Sequence, residues 1–315
     1  MTDDVLRRGL VVAALTPFVR DSARVDKSRF GAQLRALGTA APVAVTVGAV
    51  ESQEFQALGK SARLGLVDVA RDALPADVPV VAGVSSASLR ESIALSAEIA
   101  KRGAAVAVAV ASPKPWGAAP TPDEAHRWFS TLADESPIPI LLYNNPRLGV
   151  DLSVETMARI CSHPNVAALK ETSRDEAKLL GLVSRIQGTA HVYTNMELLF
   201  STLALGGSGA MLPTPGLPIA SRLLAHLDAG EVEEAARLAL FFAEFPGRWT
   251  ALGFLPAVKA AAGLMGCPLG DPLWPWSGLD DVALSEMREF LAKWELLDHF
   301  GSAPTPTATV KETAR

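Results

Sequence analysis

Val166-Ala167-Ala168-Leu169-Lys170-Glu171-Thr172-Ser173 is a short apolar run that ends on a lysine and then turns polar. Upstream, Ile138-Pro139-Ile140-Leu141-Leu142 ends on Tyr143 and turns through Asn144-Asn145-Pro146. Both runs have the length and continuous apolarity of parallel strands buried on two faces. On its own, a lysine after such a run most often marks where the chain returns to water, and a tyrosine there a rim aromatic. The pair reads differently if both residues sit at neighbouring strand ends of a closed barrel. Burial at an apolar mouth disfavours the ammonium form and leaves a nucleophilic amine. A tyrosine beside it can carry protons to and from the adduct that such an amine makes with a ketone. Lys170 with Tyr143 then points to Schiff-base chemistry on a 2-oxo acid.

The rest of the chain supplies the barrel. Strand-like runs recur at 10–15, 43–47, 80–84, 105–111, 138–143, 166–170, 191–194 and 209–212. Helical patterns lie between them at 27–37, 62–73, 88–101, 123–134, 153–161, 176–186 and 197–205, several with cap signals such as Thr121-Pro122-Asp123-Glu124. Eight strand–helix units predict an α/β fold, a (β/α)8 TIM barrel, with reactive groups at the C-terminal strand ends. From 218 to 300 only helices are predicted, at 219–229, 231–245, 253–264 and 284–296. The expected organisation is a catalytic barrel over 1–217, a C-terminal helical domain over 218–300 and a Pro/Thr-rich disordered tail over 301–315.

Composition narrows the function classes. The 315 residues are 49% hydrophobic and 20% charged, enough for a large core, and the net charge of −5 without a Lys/Arg stripe argues against nucleic acid. No apolar run reaches the length of a membrane span. Arg7-Arg8 before an apolar stretch imitates a signal peptide, but Asp3 and Asp4 sit in its basic region and Thr16-Pro17-Phe18 stands where cleavage should fall, so a first strand is expected. Cys161 and Cys267 are the only cysteines, which suits a reducing cytoplasm. The five histidines are scattered without a ligand pair, so a zinc-dependent aldolase is disfavoured and no metal is expected. Gly206-Gly207-Ser208-Gly209 precedes a strand and reads as a helix-to-strand turn rather than a phosphate loop. Trp274-Pro275-Trp276 reads as packing of the helical domain or a subunit contact.

Five motifs in order resemble the dihydrodipicolinate synthase / N-acetylneuraminate lyase family of class I aldolases. They are Leu15-Thr16-Pro17-Phe18; Tyr143-Asn144-Asn145-Pro146 with Gly149-Val150-Asp151-Leu152; Leu169-Lys170-Glu171-Thr172-Ser173; Leu205-Gly206-Gly207-Ser208-Gly209; and Leu255-Pro256-Ala257-Val258-Lys259. The resemblance reaches to about Leu297. It implies Lys170 as the imine-forming residue, Tyr143 as the proton carrier, pyruvate or a related 2-oxo acid as substrate, no cofactor, and a homo-oligomer, tetramer or dimer. It also implies a substrate carboxylate on the backbone amides of Ala49 and Val50, an Arg147 that meets a second substrate, and a Thr172 facing the cavity.

This sequence departs from the family after strand two. Where members carry Gly-Thr-Thr-Gly-Glu, it reads Gly48-Ala49-Val50-Glu51-Ser52-Gln53-Glu54-Phe55. Aligned without a gap, both threonines become Ala49 and Val50; two extra residues would bring Glu54-Phe55 into line instead. The threonine relay is missing, with Ser52 as a stand-in. After strand four, Ser112-Pro113-Lys114-Pro115-Trp116 replaces an inter-subunit tyrosine, and Tyr143 and Tyr193 are the only tyrosines. The expected activity is a Schiff-base lyase or synthase that is not an authentic dihydrodipicolinate synthase. A dehydratase of 2-oxo-3-deoxy sugar acids and a non-catalytic oxo-acid binder are the alternatives.

Overall fold

The computed structural model describes residues 5–114 and 117–301. Eight parallel strands close into a barrel in chain order: β1 Gly9–Ala13, β2 Ala44–Val47, β3 Val80–Gly83, β4 Val106–Val110, β5 Ile140–Asn144, β6 Val166–Glu171, β7 His191–Thr194 and β8 Gly209–Pro213. β8 pairs with β1 from Gly9↔Gly209 to Ala13↔Pro213. The barrel core is filled by inward residues such as Val11, Val81, Val108, Leu141, Ala168 and Met211. Residues of opposite parity, among them Val12, Val80, Leu142 and Leu169, pack outward under the helices. Most strands are therefore apolar on both faces, which is why the strand runs are continuous rather than alternating.

The helices are α1 Lys27–Thr39, α2 Lys60–Ala73, α3 Leu89–Lys101, α4 Pro122–Glu135, α5 Val154–Cys161, α6 Glu176–Ile186, α7 Leu199–Ala204, α8 Leu217–Asp228, α9 Val232–Glu244, α10 Phe254–Leu264 and α11 Asp281–Lys293. Side-chain caps start several of them, including Thr121 with Glu124 on α4 and Asp280 on α11. The Asp280 cap starts α11 three residues before the expected 284, because an aspartate on Ala283 N–H fixes the first turn ahead of the apolar pattern. α7 is shorter than its pattern, since residues Met196–Leu198 form a separate 3₁₀ turn. α8 packs on both β1 and α9, linking the barrel's outer ring to the C-terminal helices. The 206–209 segment is the expected turn between α7 and β8, with Gly206 at φ +87. Trp274 and Trp276 are 64% and 69% exposed on the chain, so packing within the helical domain is not their role. Pro115, Trp116 and, apart from Gly301, the tail lie outside the described residues.

Two local features position the barrel mouth. The β5–β6 ladder shifts register after Ile140↔Val166, so that Leu141 faces Ala168 and Tyr143 faces Lys170. Second, β3 runs so close to the loop after β2 that a Cβ on Gly83 would lie 2.0 Å from the Gly48 carbonyl oxygen. A side chain at 83 must displace backbone, and overpacking of that kind typically costs about 1–3 kcal/mol and occasionally more. Gly83→Ala is expected to lose about 3 kcal/mol in urea unfolding and to disturb the loop that follows β2. An unchanged midpoint would show that the two segments separate without cost.

Candidate active site

Lys170 and Tyr143 are cross-strand partners at the C-terminal ends of β6 and β5, both turned into the barrel. Lys170 is 5% exposed and its Nζ lies 4.7 Å from the centroid of the Tyr143 ring. Burial pushes the Lys170 amine below its ordinary value, while the charges of Glu51 and Glu197 pull it part of the way back. Desolvation prevails, which favours the neutral, nucleophilic form.

Glu171 shapes the turn that follows the lysine. It is buried, and its Oε1 accepts from the backbone N–H groups of Thr172 (2.7 Å) and Ser173 (2.6 Å). Its Oε2 accepts from Asn144 Nδ2 at 2.9 Å and lies 3.3 Å from Lys178 Nζ. The carboxylate beside Lys170 therefore points away from the cavity and ties the ends of β5 and β6 together. Asn144 also bonds Asp151 Oδ1 (3.0 Å) and accepts from Leu152 N–H (3.0 Å), which fixes the path of the chain after Tyr143.

A cavity over the barrel mouth is lined by Lys170, Thr172, Arg147, Glu51 and Ser52, together with Arg174, Asn195 and Glu197. Of the residues expected at the site, Lys170, Thr172 and Arg147 line this one space. Arg174 pairs with Glu197, both lining the cavity, whereas Arg147 has no ion-pair partner among the described residues. Asn195, at 8% exposure, has both amide atoms unpartnered among the described residues, and the Thr172 hydroxyl is likewise unpartnered. Unpaired buried polar atoms are costly, so three of them on two residues that line the cavity mark where a ligand's polar groups fit.

The loop after β2 differs from expectation. Ala49 and Val50 are buried and do not line the cavity. Their amides already donate to Gln53 Oε1, at 2.9 and 3.2 Å, so the chain itself fills the carboxylate cradle expected there. Gln53 Nε2 in turn donates to the carbonyls of Ala14 (2.9 Å) and Thr46, locking the loop to β1 and β2. Ser52 lines the cavity, but the Tyr143 hydroxyl donates to Glu51 Oε2 instead. Asn145 Nδ2 donates to the Tyr143 oxygen at 2.7 Å and to the same Glu51 oxygen at 3.0 Å. Tyr193, the other tyrosine, donates to the carbonyl of Arg7 at 2.6 Å, at the opposite end of the barrel.

Glu54 leaves the mouth altogether. It adopts φ +54, and its carboxylate is buried against Lys259 of α10 and accepts from Leu273 N–H at 2.7 Å. Lys259 also donates to the Asp271 carbonyl at 3.1 Å and lies 4.9 Å from the centroid of the Phe18 ring. Among the described residues, no cluster of three or more His, Cys, Asp or Glu is placed to hold a metal ion. Cys161 and Cys267 are buried, and burial pushes both thiols up to about 12, so neither is a reactive group.

Fold and site define a class: a (β/α)8 enzyme of the lysine Schiff-base aldolase and lyase type. The sequence pattern of the dihydrodipicolinate synthetase family matches residues 7–293, and the chain belongs to that family. It is similar to the N-acetylneuraminate lyase of Rhizobium meliloti (strain 1021), 29% identical over 290 residues, which covers 90% of this chain and 94% of that one. It is similar to the 4-hydroxy-tetrahydrodipicolinate synthase of Citrifermentans bemidjiense, 26% identical over 294 residues, covering 92% and 99%. In structure it is similar to YagE, a prophage protein of the dihydrodipicolinic acid synthase family from E. coli K12 solved with pyruvate. That likeness has a TM-score of 0.84 at 27% identity and covers 92% of this chain and 99% of that one.

Breaking one half of a buried ion pair strands the other charge, at about 3–5 kcal/mol. Lys259→Met is expected to lose that much in denaturant unfolding, and adding Glu54→Gln should recover most of it. Independent, additive losses would show that the two side chains do not sense each other.

Proposed function

We propose that this chain is a cytoplasmic lysine Schiff-base lyase or synthase acting on pyruvate or a related 2-oxo acid, by aldol-type C–C cleavage or condensation. The observation that carries the reading is the buried Lys170 amine, lowered in basicity, beside an inward Tyr143 on the neighbouring strand. Lys170 forms the imine, and Tyr143 moves protons as the carbinolamine collapses and the C–C bond breaks or forms. With the Ala49 and Val50 amides engaged by Gln53, the substrate carboxylate falls to Arg147, whose guanidinium lines the cavity unpaired among the described residues. The chemistry needs only an amine and a proton carrier, so no cofactor enters the scheme.

The partner of the oxo acid carries hydroxyls rather than an amino aldehyde. Asn195 and Thr172 offer unpartnered polar groups to such a chain. A dihydrodipicolinate synthase would need a hydroxyl relay, yet positions 49 and 50 carry none and the Tyr193 hydroxyl is held at the far end of the barrel. The same two polar groups favour, as a second reading, dehydration of a 2-oxo-3-deoxy sugar acid through the same imine. Exposed Trp274 and Trp276 support a homo-oligomer, tetramer or dimer.

Borohydride in the presence of pyruvate is expected to place a reduced adduct on Lys170 and on no other lysine, with Lys170→Ala and Lys170→Arg both untrappable. An adduct on Lys114 or Lys259, or none with any 2-oxo acid, overturns the mechanism. The yield of imine should rise with pH through a midpoint below the usual lysine range, since burial favours the neutral amine.

Tyr143→Phe should still accumulate adduct at long times while kcat falls about 10²–10⁴-fold, the typical value of a general acid–base group. A near-wild-type kcat would assign the proton to another group. Arg147→Met is expected to raise the pyruvate concentration for half-maximal trapping about tenfold, from loss of a charge-assisted bond. Robust condensation of pyruvate with aspartate semialdehyde in a coupled assay would show that the chain is a dihydrodipicolinate synthase after all.

A further inference from the structure

The Schiff-base reading leaves one proton without a place. Burial drives the Lys170 ammonium toward the neutral amine, so the proton it gives up needs a holder nearby, and the group that moves protons, Tyr143, is fully buried. A hydroxyl can pass a proton on only if something behind it takes one up. The structure puts a carboxylate there: the Tyr143 hydroxyl donates to Glu51 Oε2, and Asn145 Nδ2 holds both oxygens, at 2.7 Å from Tyr143 and 3.0 Å from Glu51. Glu51 stands in the 3₁₀ turn Glu51–Gln53, which Gln53 anchors through its bonds to Ala49, Val50 and Ala14. The turn is thus built to hold position 51 at the mouth, with the carboxylate lining the same cavity as Lys170.

We propose that Glu51 is the proton-holding partner of Tyr143, storing the proton that Lys170 releases and returning it to the oxygen that leaves as water. This rests on the imine chemistry proposed above. Tyr143 stands between the two groups: its hydroxyl donates to Glu51 and accepts from Asn145, and Lys170 Nζ lies 4.7 Å from the centroid of its ring. The other charged groups lining the cavity are Lys170 from β6, Arg147 from the turn after β5, and the Arg174–Glu197 pair.

The protons balance over the sequence. The Lys170 ammonium gives one proton through the Tyr143 oxygen to the Glu51 carboxylate and becomes a neutral amine. Its lone pair forms the C–N bond as the carbonyl π pair moves onto oxygen. The nitrogen, now positive, gives a second proton through Tyr143 to that oxygen, which makes the neutral carbinolamine. Glu51 then returns the stored proton through Tyr143 to the hydroxyl. The C–O bond breaks with its electron pair, water departs, and the nitrogen lone pair completes a protonated C=N. Two protons have left nitrogen, both are in water, and Glu51 is again a carboxylate.

The test is the rate of imine formation with pyruvate, read by borohydride quench at successive times and mapped to Lys170. It needs no knowledge of the second substrate. Glu51→Gln preserves shape and both contacts to Asn145 and Tyr143 but takes up no proton, so the rate should fall about 10²–10⁴-fold while adduct still reaches Lys170 at long times. Glu51→Ala should be equally slow and should regain rate, saturably, on addition of formate. Wild-type kinetics in Glu51→Gln overturn the proposal, and so does a slow Glu51→Ala that formate leaves unmoved, since that marks a purely structural role. Failure of the wild-type protein to trap any 2-oxo acid overturns the imine reading itself, and is told apart because it precedes any comparison of variants.

Discussion

One irregularity in the ladder between β5 and β6 decides where the chemistry can sit. Ile140 pairs with Val166, but the next pair is Leu141 with Ala168, so β6 holds one residue more than its partner at Ala167. Side chains alternate along a strand, and a slip of one residue exchanges the faces. Without it, Lys170 would share the parity of Val166, which packs outward in the core under the helices. With it, Ala168 and Lys170 face the barrel axis, level with Leu141 and Tyr143. The low basicity of the amine, its approach to the tyrosine ring and its access to the cavity all follow from that extra alanine.

The loop after β2 shows how a short segment serves several ends once its backbone is fixed. Within four residues, Glu51 meets the tyrosine hydroxyl, Gln53 saturates the loop's own amides and two strand carbonyls, and Glu54 pairs with Lys259. Buried backbone groups must find partners, and here a side chain supplies them from within the loop. Two 3₁₀ turns and a left-handed residue at 54 point the three side chains in three directions. The close approach of Gly83 leaves the loop no room to relax outward.

The barrel, its eight strands and the Lys170–Tyr143 pair were legible in the sequence because each rests on local signals: apolar runs of strand length, cap residues, and polar residues at strand ends. Arg147 and Thr172 came from the family resemblance rather than from such local signals, and the structure puts both on the wall of the cavity. What escaped depends on the path of a loop. Nothing in the composition of 48–55 tells that the Gln53 amide turns back on Ala49 and Val50, or that Glu51 rather than Ser52 reaches Tyr143. A charged residue inserted in a mouth loop was the available signal for Glu51. Asn195 was hidden in a four-residue strand's exit, where sequence offers only a turn-prone residue, and the Asp280 cap of α11 lay outside the apolar periodicity used to start that helix.

The union of Glu54 with Lys259 has a bearing on how such proteins can be recombined. The helical appendage contributes Phe254 to the cavity wall and Lys259 to the loop that carries Glu51. Barrel and appendage are therefore not interchangeable cassettes. A chimera that joins this barrel to helices from a relative inherits a mismatched charge unless positions 54 and 259 travel together. Natural lineages face the same constraint, so drift at one of these positions is expected to wait on compensation at the other.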